Sequence, residues 1–117
     1  MRVVPTLTDR PPRVQVAFER LEQDELPGSC TVCLAMLTAT GQLHVLNIGD
    51  SGLHVVRDGV SVFQTNEQQH YFNCPFQVGN HSKLPTKCET KEHSLRNQDI
   101  LVMATDGVWD NLFNENI

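Results

Sequence analysis

The dipeptide Asp58-Gly59 is the feature of this sequence that most restricts the fold. It separates two runs rich in β-branched residues, residues 54–57 and 60–63. A two-residue turn between such runs needs positive φ angles, which Asp and Gly adopt with little strain. The pattern predicts a β-hairpin, and therefore an antiparallel sheet, in this part of the chain.

Other apolar runs predict further strands on both sides of the hairpin. They cover residues 30–37, 43–48 and 53–56, a weaker segment at 88–95, and residues 100–104. The runs at 30–37 and 100–104 are almost wholly apolar, so both strands are predicted to be buried. Thr40-Gly41 predicts a turn. Residues 67–77 fit neither strand nor helix periodicity and are predicted to form an ordered loop.

Two helices are predicted outside the strands. Val14, Phe18 and Leu21 recur at helical spacing, which indicates an amphipathic helix that ends near Pro27-Gly28. A second helix is predicted soon after Gly107. Residues 1–13 contain three prolines and are predicted to be an irregular leader, followed by one partial domain over residues 14–117.

Composition excludes several classes of partner and site. A net charge of −5 over 117 residues, with scattered basic residues, argues against nucleic acid or an anionic membrane as the main partner. No apolar run approaches the ~20 residues of a membrane span. Four cysteines include the pair Cys30 and Cys33, but positions i and i+3 of a strand point to opposite faces and cannot share one ion. Reduced thiols are therefore predicted.

Three aspartates are candidate metal ligands. Asp50 and Asp106 each lie where an apolar strand ends beside glycine, and Asp110 would lie one helical turn after Asp106. Carboxylates that converge at strand ends repel one another unless cations neutralise them. Hard divalent ions with oxygen ligands, Mg²⁺ or Mn²⁺, meet that need.

Each aspartate also has a purely structural interpretation. An Asp-Gly or Gly-Asp pair is more often a turn than a ligand, and Asp110 could favour a helix N-terminus through the macrodipole. Asp58-Gly59 has the same dipeptide as Asp106-Gly107 and is interpreted as a hairpin turn only.

Three motifs in order give the sequence a family resemblance. They are Gly28-Ser29-Cys30-Thr31, Asn47-Ile48-Gly49-Asp50-Ser51-Gly52 and Ala104-Thr105-Asp106-Gly107-Val108-Trp109-Asp110-Asn111. Their order and approximate spacing resemble the PPM phosphatases, also called protein phosphatase type 2C. Residues 67–77 resemble a branch of that family whose members include mitochondrial matrix phosphatases. The resemblance covers about residues 14–111, the middle of the family's domain.

The resemblance implies an α+β fold, a four-layer α-β-β-α sandwich, of which this chain is a central portion. It also implies a two-metal Mg²⁺ or Mn²⁺ centre, with Asp106 as a ligand of the core pair and Asp50 and Asp110 at a third, weaker site. The expected substrate is a phosphorylated protein, dephosphorylated at serine or threonine by a metal-activated water. The expected location is intracellular and mitochondrial, with the cytoplasm as the alternative.

Several elements of the family pattern are absent from these residues. The family has an upstream Asp-Gly that bridges both metals, an upstream Arg that holds phosphate, and a downstream Gly-x-x-Asp-Asn. The expectation is therefore a fragment with weak or no activity alone. The alternatives are a non-catalytic module that binds phosphoproteins or a regulator, and a chain that lacks a stable fold because its sheet edges are exposed.

Overall fold

The computed structural model describes residues 27–72, 74–79 and 88–112 and, nearer the N-terminus, residues 16, 17, 19, 20, 23 and 24. The described strands are β1 (Ser29–Cys30), β2 (Val32–Leu37), β3 (Gln42–Ile48), β4 (Gly52–Arg57), β5 (Val60–Gln64), β6 (Gln69–Tyr71), β7 (Cys74–Pro75), β8 (Val78–Gly79), β9 (Glu89–Ser94) and β10 (Ile100–Ala104). A helical turn, Asp106–Trp109, follows β10.

Two antiparallel sheets of three strands form the body of the described structure. One has the order β2-β3-β9 and the other β10-β4-β5. The hairpin between β4 and β5 is confirmed, because Asp58 and Gly59 have φ angles of +51° and +78°. Its Asp-Gly turn brings β4 and β5 together as antiparallel neighbours.

The core lies between the sheets and follows the two-residue period of the strands. Leu43 and Val45 of β3 pack with Leu53 and Val55 of β4, and all four are at most 1% exposed. The alternate residues Leu46 and Ile48 face the other side of β3, where Val78 covers them. The strand β3 is therefore buried on both faces, and the burial includes its polar residues His44 and Asn47.

Side-chain contacts show which edges of the two sheets lie above one another. The Lys91 Nζ on β9 donates to the Gln64 carbonyl on β5 at 2.9 Å. The rings of Phe63 and His93 lie 4.8 Å apart between the same two strands. Because β5 and β9 share one side of the sandwich, β2 and β10 share the opposite side.

The predicted burial of the strands at this opposite side is wrong. Both strands form, but Leu37 of β2 is 58% exposed and Ile100 of β10 is 60% exposed. Met36 and Met103 are exposed as well. Each strand bonds to one neighbour only in the described structure, β2 to β3 and β10 to β4. An apolar sequence predicts a strand, whereas burial depends on what packs beside it.

Two other local predictions need correction. Residues 30–37 are not one strand, because the strand is interrupted at Thr31 and β1 pairs with β8 instead of β3. Residues 67–77 are not a loop throughout, since β6 and β7 form a small antiparallel hairpin. All four cysteines are free thiols. Cys30 and Cys33 belong to different strands, so the prediction that they lie on opposite faces of one strand is wrong.

The helix predictions are supported in part. Residues 16, 17, 19, 20 and 23 are helical, while Val14, Phe18 and Leu21 and the predicted leader lie outside the described residues. The second helix begins at Asp106, one residue before Gly107, and is a single turn. Within the described part of the chain, no helix has the length and apolar character needed to cross a membrane.

An ion pair fastens the end of β4 to the turn before β10. The Arg57 guanidinium donates to both carboxylate oxygens of Asp99, at 2.8 Å each. The Arg96 backbone N–H donates to the same carboxylate at 2.8 Å. The Arg57 bonds and the Arg96 N–H hold the pKa of Asp99 well below its usual range.

This ion pair predicts how acid affects stability. A depressed pKa contributes stability that is present above the unfolded-state value, about pH 4, and is lost as the pH falls through the folded-state value. We expect Asp99→Asn to lower the melting temperature at pH 7 and to flatten its decline below pH 4. Melting curves of both proteins from pH 7 to pH 2 test this, and parallel pH profiles would contradict it.

The unequal burial of two leucines gives a second prediction. Leu46 is fully buried and Leu37 is 58% exposed. Leu46→Ala should cost about 2–5 kcal/mol in the free energy of unfolding, because it leaves a cavity. Leu37→Ala should cost less than about 1 kcal/mol. Urea denaturation measures both values, and equal costs would mean that β2 is covered in solution.

Candidate metal centre

Asp50 lies in the short connection between the two sheets. Residues 49–51 lead from the end of β3 in one sheet to the start of β4 in the other. Gly49 has a φ of +102°, and a Cβ there would lie 2.5 Å from the Phe76 carbonyl oxygen and from Thr31 Cγ2. Only glycine fits this position, and the tight bend leaves Asp50 just 5% exposed at the end of the sandwich.

Asp106 and Asp110 reach the same end through strand register. Ala104, the last residue of β10, pairs with Gly52, the first residue of β4. The helical turn therefore starts beside the Asp50 connection. The Asp110 backbone N–H donates to the Asp106 carbonyl at 2.8 Å, so the two aspartates are one turn apart, as predicted.

The position of Asp110 decides against its structural interpretation. Asp110 is the C-cap of the turn and not its N-terminus. A carboxylate at a helix C-terminus gains nothing from the backbone dipole, which favours cations there. Local helix stability therefore does not explain an aspartate at this position.

Trp109 fixes the helical turn against the sheet. Its indole Nε1 donates to the Ala104 carbonyl at 2.9 Å, and its ring lies 4.5 Å from that of His54 on β4. Gly52 makes this possible, since a Cβ there would lie 3.3 Å from the indole nitrogen and 2.6 Å from Thr65 Oγ1. The orientation of Asp106 and Asp110 thus depends on an aromatic contact with the sheet.

The aspartates repel one another across this end of the sandwich. Burial raises the pKa of Asp50, the charges of Asp106 and Asp110 raise it further, and a hydrogen bond from its own backbone N–H opposes the shift. Two segments more than fifty residues apart in the sequence therefore bring their carboxylates to the same place. Asp50, Asp106 and Asp110 together are called the acidic site here.

Glu67 is a further acidic neighbour that the sequence did not indicate. Glu67 is exposed overall, but partial desolvation of its carboxylate raises its pKa, and the charges of Asp110, Asp50 and Asp106 raise it further. It also lines a cleft of about 250 Å³ together with Ser51, His54 and Trp109. Its segment showed no regular periodicity, so no sequence signal placed this carboxylate beside the aspartates.

His54 contributes no positive charge to this end of the sheet. The ring is 8% exposed, and its Nδ1 lies 3.0 Å from the Ser61 hydroxyl. Burial lowers the pKa of His54 below its ordinary value, so the imidazole is neutral at pH 7. The carboxylates are therefore not balanced by this histidine.

The donor set suits a hard divalent cation. It offers only carboxylate oxygens, and their mutual repulsion disfavours the charged site without a cation. Among the described residues, no three Asp, Glu, His or Cys side chains are close enough to share one ion. Mg²⁺ commonly binds through one or two carboxylates and keeps several waters as its other ligands. A site with fewer than three protein ligands therefore still suits this cation.

Known proteins of one family are similar to this chain over most of its length. The sequence profile of the family described as protein phosphatase 2C matches residues 14–116. The chain is 43% identical over 97 residues, 81% of its length, to "Probable protein phosphatase 2C 80" of Arabidopsis thaliana. It is 39% identical over 108 residues, 82% of its length, to "Protein phosphatase PTC7 homolog" of Homo sapiens.

A solved structure confirms the fold class. The structure titled "X-ray structure of the photosystem II phosphatase PBCP" superposes with a TM-score of 0.74 and 32% identity over 93% of this chain. The chain spans 45% of that structure, 23% of the Arabidopsis relative and 36% of the human one. The expected fold, an incomplete α-β-β-α sandwich, is therefore confirmed, and the chain belongs to the protein phosphatase 2C family.

Proposed function

We propose that this chain carries part of the catalytic domain of a Mg²⁺- or Mn²⁺-dependent protein serine/threonine phosphatase. The supporting observation is the acidic site, in which the strand register of β4 and β10 brings together aspartates from two family motifs. The whole protein's substrate is proposed to be a phosphorylated protein. The family assignment supports the reaction class, and the metal roles are our inference.

The residues take distinct parts in this proposal. Asp106 would hold a cation of the core pair, and Asp50 with Asp110 would hold a further, weaker cation. Such cations lower the pKa of a coordinated water and orient the oxygens of a phosphate group. Their charge also lets an acidic protein accept a dianionic substrate. In this proposal the protein positions the carboxylates and the phosphate group. The coordinated water would attack the phosphorus, so no side chain needs to act as nucleophile.

A second candidate function is a non-catalytic module that binds phosphoproteins or a regulator. The observation in its favour is that no three side chains of the described residues share one ion-binding position. The two functions differ in turnover, which makes them separable by experiment.

We also propose a mitochondrial location for the protein, with the cytoplasm as the alternative. The basis is the resemblance of residues 67–77 to the branch with mitochondrial members. Fractionation of cells that express the natural gene, with matrix and cytoplasmic markers, distinguishes the two compartments.

Metal binding should offset the instability that the ionised carboxylates of the acidic site cause at pH 7. A raised carboxyl pKa contributes stability that is present below the unfolded-state value, about pH 4, and is lost as the pH rises through the folded-state value. At pH 7 with a chelator, Asp50→Asn should therefore raise the melting temperature. With Mn²⁺ at 100 times its Kd, the unmodified chain should gain about 2.7 kcal/mol and the variant much less.

Asp58→Asn is the matched control for this experiment. Asp58 lies at an exposed hairpin tip with a φ of +51°, a conformation that Asn also adopts readily. It should change neither the melting temperature nor the effect of Mn²⁺. If Mn²⁺ stabilises Asp50→Asn as strongly as the unmodified chain, Asp50 does not bind the cation.

Phosphate release from a phosphothreonine peptide tests turnover. We expect at most slow hydrolysis by the 117-residue chain with Mn²⁺, because the family's other core ligands are absent from its sequence. Any hydrolysis present should disappear in Asp106→Asn. Hydrolysis that survives this substitution would contradict the role of Asp106, and peptide binding without hydrolysis would support the non-catalytic module.

A further inference from the structure

The connection that carries Asp50 is held by residues on both of its sides. On one side, the Thr31 and Ser51 hydroxyls lie 2.6 Å apart. On the other side, the Gly49 carbonyl accepts a hydrogen bond from the Asn47 side-chain amide at 3.3 Å. These contacts limit how far Asp50 can move, because its two neighbours in sequence are both tied to other elements.

Gln68 makes two further hydrogen bonds to this connection. Its backbone N–H donates to the Gly49 carbonyl at 3.0 Å. Its side-chain Oε1 accepts from the Gly49 backbone N–H at 2.9 Å. Gln68 therefore satisfies both backbone polar groups of the glycine that precedes Asp50. Asparagine, shorter by one methylene, would shift the acceptor away from the N–H.

Gln68 also connects Gly49 with the hairpin formed by β6 and β7. The Gln68 carbonyl accepts from the Phe76 backbone N–H at 2.9 Å, which closes the base of this hairpin. The Phe76 carbonyl in turn packs so closely on Gly49 that no side chain fits there. The hairpin base and the Asp50 connection therefore behave as one packed unit.

The same bonds determine where Glu67 lies. Glu67 immediately precedes Gln68, and the charge of Asp50 contributes to its raised pKa. The Gln68 bonds are the contacts that tie the segment carrying Glu67 directly to the connection carrying Asp50. Residues outside the ligand set that orient ligands typically change metal affinity 10- to 100-fold when they are replaced.

We propose that Gln68 is a positioning residue that holds Asp50 and Glu67 in place for cation binding at the acidic site. This inference rests on the proposed function, because it assumes that Asp50 binds a cation. Gln68 itself need not touch the metal or the substrate. Gln68 acts on Asp50 through its hydrogen bonds to Gly49. Replacing Gln68 should therefore weaken metal binding while the chain remains folded.

The experiment titrates the 117-residue chain with Mn²⁺ and follows free Mn²⁺ by electron paramagnetic resonance, well below the melting temperature. Gln68→Ala should weaken Mn²⁺ binding about 10- to 100-fold and speed hydrogen exchange at the Gly49 amide. Gln69→Ala is the matched control, since Gln69 is the next residue and is exposed. It should leave both measurements unchanged.

Gln68→Glu keeps an oxygen acceptor for the Gly49 amide and is the conservative variant. It should retain the slow exchange of that amide and bind Mn²⁺ at least as tightly as the unmodified chain. If Gln68→Ala does not fold, the test rests on Gln68→Glu. Faster exchange of the Gly49 amide or weaker Mn²⁺ binding in Gln68→Glu overturns the inference.

The remaining outcomes separate this inference from the proposed function. If Gln68→Ala binds Mn²⁺ as the unmodified chain does, while Asp50→Asn binds weakly, the role of Gln68 is wrong and the metal site stands. If the unmodified chain binds no Mn²⁺, the proposed function and this inference are both overturned.

Discussion

Residues 49–51 carry the chain from one sheet to the other, and a connection this short leaves little freedom to the elements that it joins. It places β3 and β4 against each other, so that their inward-facing residues form the core between the sheets. It also requires glycine at position 49, where Thr31 and Phe76 close over the backbone. The same bend that joins the sheets places the Asp50 carboxylate at the end of the sandwich. Fold and candidate site therefore depend on one backbone conformation.

The acidic site shows a conflict between stability and function. Repulsion among Asp50, Asp106 and Asp110 makes the ionised site unfavourable, and the neutral ring of His54 does not relieve it. The fold holds the site together through contacts that involve no charge, namely the indole of Trp109 on the sheet and the hydrogen bonds of Gln68. Such contacts suit the proposed cation site, because the cation and not the protein would then neutralise the charge.

Sequence reasoning succeeded where the structure is determined locally. Asp58-Gly59 predicted its hairpin because the turn depends on the φ angles of two residues. The exposure of β2 and β10 could not be predicted, since it depends on the neighbours of a strand and not on its own sequence. Glu67 could not be placed either, because hydrogen bonds between Gln68 and a glycine 19 positions earlier determine its location. The meeting of Asp50 and Asp106 follows from strand register, and two sequence features suggested it: the position of each aspartate at a strand end beside glycine, and the ordered motifs of a family.

The two apolar strands on the open side of the sandwich have a cellular consequence. Leu37, Ile100 and Met103 present apolar surface beside backbone groups that have no strand to pair with in the described structure. Chaperones and proteases recognise such surfaces as signs of incomplete folding, and identical edges tend to pair between copies. The lifetime of this chain in a cell should therefore depend on whether another segment or protein covers β2 and β10, and its abundance would measure how completely these edges are covered.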